Sequence, residues 1–209
     1  MAAKVSVLMR SALVAFEELS RAFGRLQALK LLGEVGQRNA RGLPFKHLPP
    51  PVEQREADSR AELQPAVNLY QTLLAHTDAE QAFAVARRII LNSSLLHLRS
   101  IYPDFTGGDF TRFSQGGQGA VEARLGTDFA FAETRVLEMS KERASFDVVK
   151  CWIPEVLQQV GAERLASIFC EVDFIYFPIF EPGVRLERSK TLILGGDVCD
   201  FRLTWKGEV

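Results

Sequence analysis

The chain has 209 residues, of which 47% are hydrophobic, so it is long enough to bury one substantial core without disulfide bonds. Its 25 basic and 26 acidic residues nearly cancel, which excludes a whole-protein field that attracts nucleic acid or an anionic membrane. No segment has the roughly 20 uninterrupted apolar residues of a membrane-spanning helix. The N-terminus lacks the order of a signal peptide. We therefore expect a cytoplasmic protein with no nucleic-acid and no membrane partner.

The first predicted element is an amphipathic helix over residues 5–32, within an N-terminal unit of residues 1–36. Apolar residues recur there at the three-and-four spacing of one helical face: Val5, Leu8, Ala12, Ala15, Phe16, Leu19, Phe23 and Leu26. Gly33 and Gly36 supply stop signals. We expect this helix to pack on the protein's own core, and the alternative is that it joins copies of the chain in a homo-oligomer.

Residues 37–62 are predicted to form a linker that is rich in proline and charge. It contains Pro49-Pro50-Pro51, and residues 38–60 carry too little apolar area to become ordered independently. We therefore expect an extended chain here. An α+β domain is predicted to follow over residues 63–209.

This domain is predicted to open with two helices. One covers residues 63–76, and the next begins at Thr77, where Thr77 and Glu80 have the spacing of a capping box. A segment with five glycines follows over residues 105–119. It lacks both the lysine of a P-loop and the preceding strand of a dinucleotide-binding fingerprint, so we interpret it as a mobile lid or a connector.

The remaining part of the domain, residues 129–205, is predicted to supply the strands. Its expected elements are strands at 129–137 and 145–151, short helices at 154–160 and 162–169, and a hairpin of residues 185–194 and 199–205 about the turn Gly195-Gly196-Asp197. The predicted fold class is α+β, with N-terminal helices packed against a C-terminal, mostly antiparallel sheet and short helices.

The three cysteines, Cys151, Cys170 and Cys199, all lie in this last part. They cannot all pair within one chain, which leaves buried thiols, metal ligands or a reactive thiolate. A single cysteine is most simply a small buried apolar residue, and three together, two of them beside acids, weaken that interpretation without removing it. Three thiolates and a carboxylate could bind a soft metal. Because no Cys-x-x-Cys element and no histidine pair at ligand spacing supports such a site, we expect no metal and no cofactor.

Cys170 and Asp173 form the candidate catalytic pair. A thiolate is a strong nucleophile once its pKa is depressed, and a nearby carboxylate can transfer protons. Arg188 or Arg202 could hold a substrate carboxylate in a bidentate pair, although an arginine on a strand is more often a surface residue.

Four features of the last third form a pattern: Cys151 after a strand, Gly161, Cys170-x-x-Asp173, and the run from Thr191 to Arg202. This pattern resembles the L-2-amino-thiazoline-4-carboxylic acid hydrolase family. The resemblance implies hydrolytic opening of a cyclic amidine-like ring, which is cleavage of a non-peptide carbon-nitrogen bond, to give a carbamoyl-cysteine. A small molecule is then the expected partner. The site predicted on this basis has catalytic Cys170, Asp173 and Cys199, with substrate contacts from Arg202, Arg188, Asp200 and Cys151.

The same C-terminal run also resembles vinyl-reductase-type small-molecule-binding domains. In those domains a Gly-x-x-x-Cys-x-Phe sequence precedes the last strand, and here it reads from Gly195 to Phe201. This second resemblance implies a rival function, in which a non-catalytic sensor or scaffold binds a ligand in the same pocket.

Overall fold

The computed structural model describes residues 2–101 and 107–207, without the side chains of residues 2–6, 8 and 101. Five helices come first: α1 Ala2–Phe23, α2 Arg25–Ala40, α3 Gln54–His76, α4 Ala79–Ile101 and α5 Gly107–Asp128. The elements that follow are β1 Ala132–Met139, β2 Arg143–Cys151, α6 Trp152–Gln158, α7 Ala166–Phe180, β3 Val184–Glu187 and β4 Cys199–Trp205. The predicted α+β class is confirmed.

The strands form one antiparallel sheet in the order β1-β2-β4-β3. Phe146 on β2 lies opposite Phe201 on β4, and the two rings stack with their centroids 4.9 Å apart. These rings belong to the inner face of the sheet, which is covered by helices. Because successive residues of a strand point to opposite faces, Asp147, Asp200 and Arg202 lie on the outer face.

Buried residues form two clusters. The helical core joins α1–α4 with α6 and α7, and the sheet core joins the inner face of the sheet with α5. Phe131 and Cys151 pack against both clusters, which places them at the junction of the two cores. No helix within residues 2–101 and 107–207 is both long enough and apolar enough to cross a membrane.

The predicted N-terminal helix is two helices. Gly24 has a φ of 81°, a conformation that glycine adopts at little cost, and it separates α1 from α2. Ala15 and Leu19 of α1 and Leu31 of α2 are buried in the helical core, so this unit does pack on the protein's own core, as expected.

The extended linker predicted at residues 37–62 is wrong in its conformation. Helix α2 continues to Ala40, and α3 already begins at Gln54. This segment is ordered by polar contacts and not by the burial of apolar area. The buried Arg60 donates to Glu56 at 2.6 Å and to the Pro49 carbonyl at 2.7 Å. Composition alone does not reveal such partners.

The glycine-rich segment is also different from the prediction. From Gly107 onward it forms α5, bent at Gly117, where φ is 73°, and not a loop; residues 105 and 106 lie outside the described part of the chain. Phe110 is buried in the sheet core, with its ring centroid 6.0 Å from that of Trp205. A Cβ atom at Gly107 would lie 2.8 Å from the Trp205 ring, so glycine permits this close approach.

Two local predictions change in detail. At the start of α4 the cap is Asp78, whose carboxylate accepts the backbone N–H groups of Glu80 at 3.0 Å and Gln81 at 2.9 Å. Strands β3 and β4 do pair, but residues 188–198 connect them and include a short 3₁₀ helix, Leu192–Leu194, before Gly195 at φ 83°. The tight turn that was predicted is therefore a longer loop.

Candidate functional site

A cavity of about 590 Å³ lies between the helices and the inner face of the sheet. Helices α3–α7, strands β1, β2 and β4 and the loop after β3 contribute to its walls. Most lining residues are apolar, and seven are phenylalanines: Phe113, Phe129, Phe131, Phe146, Phe169, Phe177 and Phe201. A concave, mainly apolar site with a few polar groups is the usual form of a small-molecule pocket.

Five of the predicted site residues gather at this cavity: Cys151, Cys170, Asp173, Arg188 and Cys199. Cys170 and Asp173 are three residues apart on α7 and so share one face of that helix. Cys151 comes from the end of β2, and Cys199 from the start of β4. We call this group the polar end of the cavity.

Arg188 holds Asp173 in place. Its Nη1 donates to Asp173 Oδ2 at 2.9 Å, and its Nη2 donates to the backbone carbonyl of Cys170. The guanidinium lies over the rings of Phe174, at 4.6 Å, and Phe201, at 4.9 Å. Because the side chain of Arg188 is only 2% exposed, this cation is committed to the protein's own groups.

The environment of Asp173 gives it a carboxyl group that titrates close to neutrality. Burial raises the pKa of Asp173 to about 6, and the charge and hydrogen bond of Arg188 oppose this rise without cancelling it. A carboxylate with this pKa can accept a proton at neutral pH and return it later in a reaction.

The cysteines are not activated. Burial raises the pKa of the Cys170 thiol to about 11, although the charge of Arg188 acts in the opposite direction. Burial also raises the pKa of Cys151 to about 12 and raises that of Cys199. All three are free thiols, and at neutral pH they are protonated. The environment therefore gives no support to the predicted Cys170 thiolate.

Asp200 and Arg202 lie outside the cavity, so the expectation that they line the same pocket is not met. Arg202 donates to Asp147 Oδ1 at 2.8 Å and to the Phe146 carbonyl at 2.9 Å. Asp200 accepts from the backbone N–H of Lys190 at 2.6 Å. The reason is the alternation of strand residues: Cys199 and Phe201 face inward, so their neighbours in the sequence face outward.

A second polar group at the cavity was missed in the sequence. Glu62 of α3 and Ser94 and His97 of α4 also line its wall. Glu62 is exposed, but neighbouring groups partly desolvate its carboxyl, which raises its pKa, and the charge of His97 acts against this rise. Glu62 precedes Ser94 by 32 positions and His97 by 35 positions in the chain. No local motif marks them.

The structure does not assemble a metal site in the part of the chain that it describes. Within residues 2–101 and 107–207, no group of three or more His, Cys, Asp or Glu side chains is placed to hold a metal ion.

Comparison with known proteins yields one family. No curated protein and no solved structure matches the chain. The model of the family described as L-2-amino-thiazoline-4-carboxylic acid hydrolase matches residues 58–203. The matched region includes every residue of the polar end, together with Glu62, Ser94 and His97. Because it covers more than half of the sequence, the chain belongs to the L-2-amino-thiazoline-4-carboxylic acid hydrolase family.

Proposed function

We propose that the chain hydrolyses a non-peptide carbon-nitrogen bond of a small cyclic amidine bound in the cavity. The observation that carries this proposal is the Asp173 carboxyl, which Arg188 positions at the polar end and whose pKa is raised to about 6. Family membership supports hydrolysis as the class of reaction.

In the proposed reaction Asp173 serves first as general base and then as general acid. It accepts a proton from a water molecule as the water oxygen bonds to the amidine carbon and the C=N bond becomes single. The protonated Asp173 then donates that proton to the ring nitrogen, which has taken up the electron pair of the C=N bond. Asp173 next accepts the proton of the added hydroxyl as the C=O bond forms, and it passes this proton to the same nitrogen as the ring carbon-nitrogen bond breaks. The nitrogen leaves as an amine, and Asp173 returns to its carboxylate state. Arg188 is a positioning residue that keeps the carboxyl in place. The neutral thiols of Cys170, Cys199 and Cys151 contact the substrate.

We prefer activated water to a cysteine nucleophile because of the pKa values of Asp173 and Cys170. At pH 7 a group with a pKa of about 6 is mainly deprotonated, whereas a thiol with a pKa of about 11 is almost entirely protonated. The carboxylate is therefore the group at the polar end that is ready to accept a proton.

The pH dependence of turnover tests this assignment. Because the reaction needs ionised Asp173, kcat/KM for a cyclic amidine should fall as the pH drops through about 6 and level off above about 7. Initial rates are measured from pH 4.5 to pH 10 in buffers of constant ionic strength, with L-2-amino-thiazoline-4-carboxylic acid and larger 2-amino-thiazolines as substrates. A rate that keeps rising towards pH 10 would support a cysteine thiolate and contradict the role of Asp173.

A second candidate is a non-catalytic sensor or scaffold that binds a ligand in the same cavity. The large apolar volume and the protonated thiols favour it. The two functions separate in one preparation of wild-type protein: a ligand that binds in the cavity and contains a cyclic amidine is turned over by a hydrolase and recovered unchanged from a binding module.

We also propose a homo-oligomer that forms through the N-terminal helical unit. Met9 and Leu13 of α1 and Leu26 and Leu29 of α2 are exposed, and large exposed apolar side chains of this kind are common at protein interfaces. The double variant Leu13→Glu/Leu26→Glu should be monomeric by multi-angle light scattering, where the wild type is larger. Leu137→Glu, a change of the same kind at an exposed position of β1, is the control. A monomeric wild type contradicts this proposal.

We place the protein in the cytoplasm, where its three thiols stay reduced.

A further inference from the structure

The cavity is much less polar than a compact, charged substrate would require. Phenylalanines line it on several sides, and its volume of about 590 Å³ falls in the middle of the range of roughly 300–1,000 Å³ that is typical of pockets for drug-sized ligands. A small hydrophilic molecule at the polar end would leave most of this apolar wall uncovered. The wall therefore has its own specificity, separate from the chemistry at Asp173.

The charged residues that line the cavity also favour an apolar ligand. Two arginines are among the described lining residues, and both already have partners: Arg188 is paired with Asp173 at 2.9 Å, and Arg124 with Asp128 at 2.7 Å. At the polar end, Arg188 and an ionised Asp173 cancel in charge. A ligand carboxylate would enter a site that offers it protonated thiols and a committed cation, and burial of an unpaired charge is costly.

The guanidinium of Arg188 gives such a carboxylate little access, because its side chain is only 2% exposed. Bidentate recognition needs two neighbouring N–H groups of the guanidinium on one side. Nη1 donates to Asp173, Nη2 donates to the Cys170 carbonyl, and Nε is inaccessible to solvent. The rings of Phe174 and Phe201 cover its faces. The position of Arg188 therefore disfavours the role of a carboxylate clamp, which the sequence predicted for it.

We infer that the cavity takes a drug-sized, predominantly apolar molecule, with an alkyl or aryl body and one polar group that carries no negative charge, in preference to a compact carboxylate-bearing one. The body lies against the wall formed by residues such as Phe129, Phe146 and Leu192, and the polar group lies at Asp173. That the polar group is a cleavable amidine rests on the proposed function. The apolar character of the body does not.

The loop between β3 and β4 offers a matched pair of substitutions for the test. Leu192 lines the cavity, and its backbone N–H donates to Cys199 Sγ at 3.3 Å. Leu194 belongs to the same short 3₁₀ helix but is 84% exposed and points away from the cavity. Leu192→Trp adds volume inside the site, whereas Leu194→Trp makes the same chemical change outside it.

The experiment is a fluorescence titration with N-phenyl-1-naphthylamine, a neutral aromatic probe, followed by competition with L-2-amino-thiazoline-4-carboxylic acid. We expect saturable binding of the probe to the wild type, at least tenfold weaker binding to Leu192→Trp, and unchanged binding to Leu194→Trp. The compact acid should displace the probe poorly. Ala144→Phe, which fills the cavity from β2, replaces Leu192→Trp if that variant does not fold.

Two results would overturn the inference: no saturable binding of the probe to the wild type, or equal binding to the Leu192 and Leu194 variants. Tight binding of the compact acid, with displacement of the probe, would overturn it as well. The proposed function fails differently. A protein that binds the probe as expected and hydrolyses no cyclic amidine would retain the inference and lose the hydrolase.

Discussion

Asp173→Asn is expected to lower kcat/KM for amidine hydrolysis by about 10²–10⁴-fold, the usual contribution of a general acid-base group. Asparagine has nearly the same shape as aspartate and can still accept a hydrogen bond from Arg188, but it cannot take a proton from water. The loss should therefore appear mainly in kcat, with a smaller change in KM, because substrate contacts with the cavity wall remain. Steady-state kinetics at pH 7.5 measure both constants.

Asp200→Asn is the matched control for this experiment. It removes the same charge from a carboxylate in the C-terminal motif, but this carboxylate lies on the outer face of the sheet and accepts from Lys190 and Ser189. Its activity should stay within about twofold of the wild type. Far-ultraviolet circular dichroism and thermal unfolding of both variants exclude a loss of fold. Equal activity of Asp173→Asn and the wild type would remove Asp173 from the mechanism.

Arg188→Met is expected to lower the free energy of unfolding by about 1–3 kcal/mol at pH 8, because it leaves the half-buried Asp173 carboxylate without its cation. Methionine keeps much of the apolar contact with Phe174 and Phe201, so the lost charge dominates. Urea unfolding monitored by tryptophan fluorescence measures the difference. Arg185→Met, which removes an exposed arginine paired with Glu187, should cost no more than about 0.5 kcal/mol.

The sign of the pH effect distinguishes charge from packing in this variant. The pKa of Asp173 is already raised by burial, and Arg188 holds it down, so removal of Arg188 raises it further. An acid whose pKa is higher in the folded state destabilises the fold as pH rises from its unfolded pKa towards its folded pKa. The difference in the free energy of unfolding between the wild type and Arg188→Met should thus be smaller at pH 5, where Asp173 is protonated. An equal difference at pH 5 and pH 8 would show that Arg188 acts through packing alone.

The sequence predicted the α+β class, and it singled out Cys151, Cys170, Asp173, Arg188 and Cys199, all of which line the cavity. It did not predict the length of α7. That helix was expected to end near residue 169, and it continues to Phe180. Its last turns contain aromatic and β-branched residues and Pro178, a composition that resembles a strand. Tertiary packing overrides these local preferences, and the face with Cys170 and Asp173 lines the cavity as a result.

Other errors arise from contacts that are distant in the chain. The order of residues 38–60 depends on ion pairs and on hydrogen bonds to backbone carbonyls, which no composition rule detects. Glu62 reaches the cavity only because α3 and α4 pack side by side. The opposite orientation of Cys199 and Arg202, in contrast, follows from strand alternation and could have been read from the sequence once β4 had been assigned.

The junction of the two cores has a consequence for the evolution of this fold. A cavity of about 590 Å³ between packed layers gives up van der Waals contacts between protein groups that a solid interior would make, which costs stability. Substitutions that fill the space would raise the melting temperature and close the site together. Selection for stability alone would therefore favour substitutions that fill this cavity. A cavity of this size indicates selection for a function that needs the space.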